Sequence, residues 1–289
     1  MEGYSVDSVI NTIEEASRIF DEEPNYIELP SDKELVFVGD THGDHNATRY
    51  ILSNFSDSNL VFLGDYVDRA ETFLGSLENI MILLQAKINN PGLVLLRGNH
   101  EDKKVFTDYE FEEELYDFAQ YDKAREITTR FQASFNKMPY VASADNGILA
   151  LHGGLPNITR KSQLRNLPKD IDPGDHKIIH QILWNDNVIS PEHLGDTGIR
   201  CSERIGELDE LFEYGEPFFS KKMKILGKNV LLRGHDYTRK GYALDGRILT
   251  IFTCHRYDSS GLTKGSYVAI ADPQKEYESA IHLKIHMLR

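Results

Sequence analysis

The chain has little cysteine, tryptophan or proline: two, one and ten residues respectively in 289. Two thiols, Cys201 and Cys254, are too few for a disulfide framework or a thiolate metal cage, and they point away from a secreted scaffold. No apolar run approaches the ~18 residues of a membrane span, and "MEGYSVDSVI" at the N-terminus lacks the basic and apolar regions of a secretory leader. The chain therefore reads as cytoplasmic, with no membrane partner, and the N-x-S/T triplets at Asn46, Asn54 and Asn157 as chance matches. Basic residues are also in deficit, 32 Lys and Arg against 46 Asp and Glu, for a net charge of -14. Such a chain repels polyanions in bulk, so no nucleic acid is expected as a partner, although a local basic pocket remains compatible. Neither a Gly/Ser-rich nor a Pro-rich linker interrupts the sequence, and residues 1–289 are expected to fold as a single domain.

What is present is an ordinary globular composition, 40% hydrophobic and 27% charged, in a chain long enough to bury a large core. Val9, Ile10, Ile13, Ala16, Ile19 and Phe20 recur at helical spacing and predict an amphipathic helix over 5–23. Five apolar runs then end in similar polar tips: LVFVGDTH, LVFLGDYVDR, LVLLRGNHE, ILALHGG and VLLRGH. Their lack of alternation predicts strands buried on both faces, and ligands bind beyond the ends of such strands. Helical patterns in HNATRYILSNF and at Leu74, Leu77, Met81 and Leu84 separate the first three runs. That part reads β-α-β-α-β, with parallel strands carrying Asp40, His42, Asp65, Asn99 and His100 to one edge. The Asp-x-His spacing is expected to point both side chains to the same side of the strand tip. From Asp102 to about Lys137 the pattern is helical, and the acidic DYEFEEELYDFAQYD within it reads as a solvated face. In the last third ILTIFT, SYVAIA and AIHLKIH alternate apolar and polar residues, predicting antiparallel strands and a second sheet.

The five tips together supply two aspartates, one asparagine and three histidines, oxygen and nitrogen donors with no sulfur among them. That set suits two borderline or hard divalent ions such as Mn²⁺, Fe²⁺ or Zn²⁺. Asp40 and His42 would cap one ion, Asn99, His152 and His235 the other, and Asp65 has the two oxygens needed to bridge them. Two ions about 3.5–4 Å apart share a water, lower its pKa and clamp the attacking and leaving oxygens of a phosphoryl displacement.

GDTHGD, GDYVDR, LRGNHE, LHGGL and RGH, in this order, resemble the metal-binding signature of the phosphoprotein phosphatase family, the serine/threonine phosphatases related to protein phosphatases 1 and 2A. The likeness extends to FNKMPYVASADNGILALHGGL, to ILWND and to the strand leading into Tyr257, and covers about residues 33–272. It implies an α/β (in some schemes α+β) metallophosphoesterase fold, two central mixed β-sheets flanked by helices in four αββα layers. It also implies phosphoserine and phosphothreonine hydrolysis on phosphoprotein substrates, by direct attack of a metal-activated hydroxide and without a phosphoenzyme. By motif position, Asp40, His42 and Asp65 would bind the first metal, and Asp65, Asn99, His152 and His235 the second, with Mn²⁺ the expected ion in vitro. Asn99 would also touch substrate. Arg69 would hold phosphate oxygens, as a guanidinium fork does. His100 would be the general acid for the leaving alkoxide, with Asp68 orienting its imidazole and favouring its protonated form.

Three positions depart from the family pattern. Ala70 stands where a glycine normally follows the arginine, so a turn needing positive φ there would be strained. The second phosphate-binding arginine falls within GIRCSERIGELDELFEYG, where Arg204 of SERIG fits best and Arg200 is the alternative. TCHRY replaces the usual SAPNY: Tyr257 is kept as a substrate-side residue, but Cys254, His255 and Arg256 are new. Cys254 reads as a small buried hydrophobe, or else as a redox-sensitive thiol. Rival readings are a dinucleoside tetraphosphatase, which usually carries GNHD in place of GNHE and lacks the Tyr257 segment; another metallophosphoesterase, such as a phosphodiesterase or nuclease; and a non-catalytic phosphoprotein-binding scaffold.

Overall fold

The computed structural model describes residues 3–190, 194–202, 210–261 and 263–288. Two mixed sheets lie face to face. The first runs, in spatial order, Lys284–Met287, Tyr267–Ala271, Leu35–Val38, Asn59–Phe62 and Val94–Leu95. The second runs Tyr26–Glu28, Val141–Ser143, Ile148–Leu151, Val230–Arg233, Ile248–Thr250 and Gly241–Ala243.

Strand periodicity explains the layering. In Leu35–Val38 the side chains alternate between two apolar clusters: Leu35 and Phe37 join Leu63, Ile148, Ala150, Val230 and Leu232 between the sheets. Val36 and Val38 face outward onto Ile13, Phe20, Leu77, Met81, Ile127 and Phe131 of the helices Val6–Glu22, Gly75–Asn89 and Tyr121–Phe135. The second sheet repeats the scheme, turning Leu149, Leu151 and Leu231 onto Ile179, Ile182, Phe219 and Met223 of the helices Lys177–Trp184 and Glu216–Leu226. Residues buried on both faces give runs without polar alternation, and the result is the expected αββα sandwich. Ser5 caps the first helix through a reciprocal bond with Ser8, which ends it one residue inside the predicted span on each side.

Leu35–Val38, Asn59–Phe62 and Val94–Leu95 are parallel neighbours, linked by the two predicted crossover helices, His45–Asn54 and Gly75–Asn89. The segment after Asp102 is helical as expected, divided into Lys103–Phe106, Phe111–Phe118 and Tyr121–Phe135 because the pattern is broken at Thr107–Glu110 and Ala119–Gln120. One expectation about the sheets is corrected. The last-third strands do not build a second sheet of their own. Ile248–Thr250 is wholly buried and pairs parallel to Val230–Arg233, while Tyr267–Ala271 crosses back to pair antiparallel with Leu35–Val38. A small third sheet, Asp186–Asn187, Phe212–Tyr214 and Ile199–Cys201, was not foreseen; its strands are two or three residues long, too short for a periodicity.

Candidate active site

All five tips meet at one edge of the sandwich, the first three from one sheet and the last two from the other. Leu35–Val38 ends before Asp40, and the chain then turns: Thr41 and His42 both donate their N–H to the Asp65 carbonyl, at 3.1 and 3.0 Å. The Asp-x-His pair therefore converges through a turn with His42 at φ +38°, and strand alternation is not the reason. Asp65, Asp68, Arg69 and His235 also have positive φ, a concentration of strained backbone that marks functional sites. Two glycines make the convergence possible. Gly64, at φ +107°, has no room for a side chain against Gly98, and a Cβ on Gly234 would stand 2.0 Å from the Asp40 carboxylate.

Around Asp65 the polar atoms of the tips crowd together with little or no exposure. His152 Nε2 lies 3.2 Å from Asp65 Oδ1 and 2.8 Å from Asn99 Oδ1, and His235 Nδ1 lies 2.8 Å from the same Asn99 oxygen. On the other side His42 Nε2 is 3.6 Å from Asp65 Oδ2 and 3.9 Å from Asp40 Oδ2. His42 and His152 turn their Nδ1 atoms to the carbonyls of Val67 and Leu63, both at 2.9 Å, so the Nδ1–H donates there and Nε2 is the ring atom left facing the cluster. The groups His42, Asp65, His100 and Asp65, His152, His235 each bring their ligand atoms within 4.8 Å of one another. Oxygen and nitrogen lone pairs aimed at common points fit divalent cations.

The electrostatics agree. Burial, reinforced by Asp65, pushes Asp40 up to about 8. Burial also disfavours a charged His152, but the Asp65 and Asp40 carboxylates outweigh it and lift the imidazole to about 9. Burial opposes ionisation of Asp65 too, yet the His152 and His100 imidazoles hold it well below the usual carboxylate range. Without a cation the cluster thus retains protons, the positive charge that metal binding displaces. His42 is held neutral by burial and by His100, the form in which imidazole ligates.

Beside this cluster His100 Nδ1 sits 2.6 Å from Asp68 Oδ2, and the imidazole meets His42 edge-on at 4.9 Å between centroids. Burial drives His100 down to about 4 and Asp68 up to about 7. Burial thus favours a neutral His100 imidazole, against the expectation that Asp68 would favour its protonated form, and with Nδ1 turned to Asp68 the ring presents Nε2 to the cluster, 3.9 Å from Asp65 Oδ2. Arg69 places Nη1 3.4 Å from His42 Nε2 and its guanidinium 5.2 Å from the Tyr109 ring centre, with Tyr257 also hydrogen-bonded to it. Arg69, Asn99, His100, Tyr109, Trp184 and His235 line an open cleft of about 280 Å³.

The structure brings together Asp40, His42, Asp65, Asp68, Arg69, Asn99, His100, His152, His235 and Tyr257. For the second arginine, Arg204 lies outside the described residues, and Arg200 pairs with Glu213 through Nε and Nη2 at 2.7 and 2.6 Å. Ala70 does not carry the strain expected of it, since positive φ falls on Asp68 and Arg69 instead. Its methyl group packs into the space left by Gly43 and Gly75. Sequence reasoning missed Glu101, wholly buried, whose carboxylate accepts the N–H groups of Asp65, Tyr66 and Gly98 at 2.8, 2.7 and 2.8 Å and fastens two tips to each other. It missed Glu110 and Arg256 as well, which take the N–H and the carbonyl of Arg69 at 3.0 and 2.7 Å. The final Glu of LRGNHE was the one available signal for any of these.

Residues 34–239 match the family described as calcineurin-like phosphoesterase. A Caenorhabditis elegans protein, named by inference as a serine/threonine-protein phosphatase, is 29% identical over 264 residues, 89% of this chain and 67% of that protein. A protein of Encephalitozoon cuniculi, also named by inference as a serine/threonine-protein phosphatase, is 29% identical over 268 residues, 90% of this chain and 55% of its own length. The chain thus spans about two thirds of one relative and just over half of the other. A solved protein serine/threonine phosphatase from Saccharomyces cerevisiae, described as similar to human phosphatase PP5, superposes with a TM-score of 0.82 at 24% identity. That match covers 98% of this chain and 89% of the other. A cold-active protein-tyrosine phosphatase of a Shewanella species shares the fold more distantly, with a TM-score of 0.53 at 14% identity over 93% and 82% of the two chains. With most of its length inside the family match and the ligand-rich cluster at the meeting of two sheets, the chain belongs to the calcineurin-like phosphoesterase family and is a metallophosphoesterase.

Proposed function

We propose that this metallophosphoesterase is a protein serine/threonine phosphatase, acting on phosphoserine and phosphothreonine in phosphoprotein substrates. Asp40, His42 and Asp65 would hold one divalent ion, and Asp65, Asn99, His152 and His235 a second. Mn²⁺ is the ion we expect to support activity best in vitro, with Fe²⁺ or Zn²⁺ compatible with the same donors. When bound, the ions would neutralise phosphoryl oxygens and lower the pKa of water at the site.

The observation that carries the reading is the Asp68–His100 contact at 2.6 Å, beside His42 of the ligand cluster, which Arg69 also approaches at 3.4 Å. His100 Nε2–H is in position to hand a proton to an alkoxide leaving the phosphoryl group, and Asp68 fixes the ring that does so. The Arg69 guanidinium, braced by Tyr109 and Tyr257, offers paired N–H donors to phosphate oxygens. A poor leaving group such as the serine side chain needs such an acid. The relatives' names lend support from outside the chain. Two unpaired cysteines suit the cytoplasm, where we place the enzyme, and no helix among the described residues is long and apolar enough to cross a membrane.

A metal-dependence screen tests the assignment with four substrates: a phosphoserine peptide, a phosphotyrosine peptide, diadenosine tetraphosphate and a bis-aryl phosphodiester. Chelator should abolish activity, Mn²⁺ should restore it best, and the phosphoserine peptide should turn over with the highest kcat/KM. Full activity in metal-free protein, or a clear preference for the dinucleotide, would sink the reading.

A further inference from the structure

A second cavity of about 220 Å³ opens beside His42, walled by His42, Asp44, His45, Glu71, Thr72 and His255. It shares the His42 wall with the ligand cluster, so whatever enters it lies beside the phosphoryl group. At ~30 Å³ per water it holds about seven waters, and it is smaller than the ~300 Å³ typical of a complete small-molecule site. That is the room a single side chain takes.

Its charge is one-sided. No lysine or arginine lines it among the described residues. Asp44 is already engaged, accepting from His255 N–H at 3.0 Å and from its ring Nδ1 at 2.8 Å. Glu71 makes no ion pair among the described residues and stands exposed on the loop that follows Arg69. The next residue after His255, Arg256, turns its guanidinium to the Arg69 carbonyl at 2.7 Å. The site mouth is thus cationic where phosphate would bind and anionic in the cavity beside it.

We propose that this cavity is a specificity subsite for a lysine or arginine side chain flanking the phosphorylated residue, with Glu71 as its counter-charge. The proposal rests on the protein-phosphatase reading and narrows its substrates to phosphoserine or phosphothreonine near a basic residue. The His255 ring, fixed by Asp44, supplies the polar wall opposite.

The test uses the metal-loaded full chain and a panel of phosphoserine peptides carrying Lys, Ala or Glu at each of the three positions on either side. In the wild type, at one of those positions, Lys should be preferred to Glu by about fivefold in kcat/KM, the scale of one partly exposed ion pair. High salt should shrink the preference. Within the variant Glu71→Lys the ratio at that position should invert. Should the charge reversal fail to fold, Glu71→Gln carries the same test, its ratio falling to about one. Equal ratios in wild type and variants would overturn the subsite while leaving the protein-phosphatase reading intact. Turnover of p-nitrophenyl phosphate with none of any phosphopeptide would overturn both.

Discussion

On the proposed assignment, His100 and Asp65 separate acid chemistry from metal binding at the level of single side chains. An aryl phosphate expels a stabilised phenolate that barely needs a proton, whereas phosphoserine expels a basic alkoxide. General-acid catalysis is worth about 10²–10⁴-fold, and only the second substrate should demand it. His100→Asn is therefore expected to reduce phosphoserine-peptide turnover by about that factor, with p-nitrophenyl phosphate hydrolysis far less affected and metal content retained. Equal losses on both substrates together with lost metal would instead make His100 a ligand, a role its place in one of the two ligand-atom groups allows. Asp65 offers one oxygen to each half of the cluster, so Asp65→Asn should lower the metal content found by elemental analysis more than Asn99→Ala or His42→Ala does. Cys254 gives the pH-dependent case. Burial pushes its thiol up to about 12 and leaves it 3% exposed, so it behaves as a hydrophobe and not as a redox sensor. Iodoacetamide at pH 8 should modify Cys201 well before Cys254 in native protein, as peptide mapping would reveal. The folded pKa lies above the ~8.5 of an unfolded thiol, so this contribution to stability is present below pH ~8.5 and is lost as pH rises toward 12. Urea midpoints should fall over that window, and Cys254→Ala should flatten the fall.

Among the elements, the tips carry the site and Glu101 joins them. Its two oxygens serve three backbone N–H groups on the loops after Asn59–Phe62 and Val94–Leu95. Glu101→Gln keeps one acceptor and turns the other into a donor, orphaning at least one buried N–H. At about 1–3 kcal/mol per orphaned group, a loss of roughly 2–4 kcal/mol in urea unfolding is expected, together with weaker metal retention on dialysis. An unchanged midpoint would mean the loops hold their shape without it. The five ligand-bearing tips were legible because doubly buried strands have no use for Asp, His and Asn at their ends, so those residues stand out against the apolar runs. Glu101 was harder to read, since a side chain that binds backbone N–H groups leaves no spacing or periodicity behind. The same holds for Glu110 and Arg256, whose partners are the N–H and carbonyl of one strained residue. The three-stranded sheet was invisible for a different reason: pairings as short as Asp186–Asn187 with Phe212–Tyr214 are set by the surrounding fold and not by their own residues.

For the whole molecule, chain order and sheet order do not coincide. The second sheet takes its first strand, Tyr26–Glu28, from before the first sheet begins, and the first sheet takes its last two, Tyr267–Ala271 and Lys284–Met287, from after the second is complete. Tyr26 pairs with Val141, and Val38 with Val268, pairings that must wait for most of the chain to be in place. Contacts of such long sequence separation make folding slow, because loop closure must be paid for before they form. The proposed metal ligands inherit this order, drawn from strand ends between Asp40 and His235 on both sheets. An ion that needs all of them has nothing to grip until the two sheets are docked. Mn²⁺ should therefore leave the refolding rate of denatured protein nearly unchanged and lengthen the lifetime of the native state, a signature of interactions absent from the transition state. Stopped-flow refolding and unfolding with and without chelator would reveal it, and acceleration of refolding by Mn²⁺ would mean that the ligand loops assemble early. On this topology a bound ion would act as a latch on a finished structure, and its off-rate would set how long the enzyme survives dilution into a metal-poor environment.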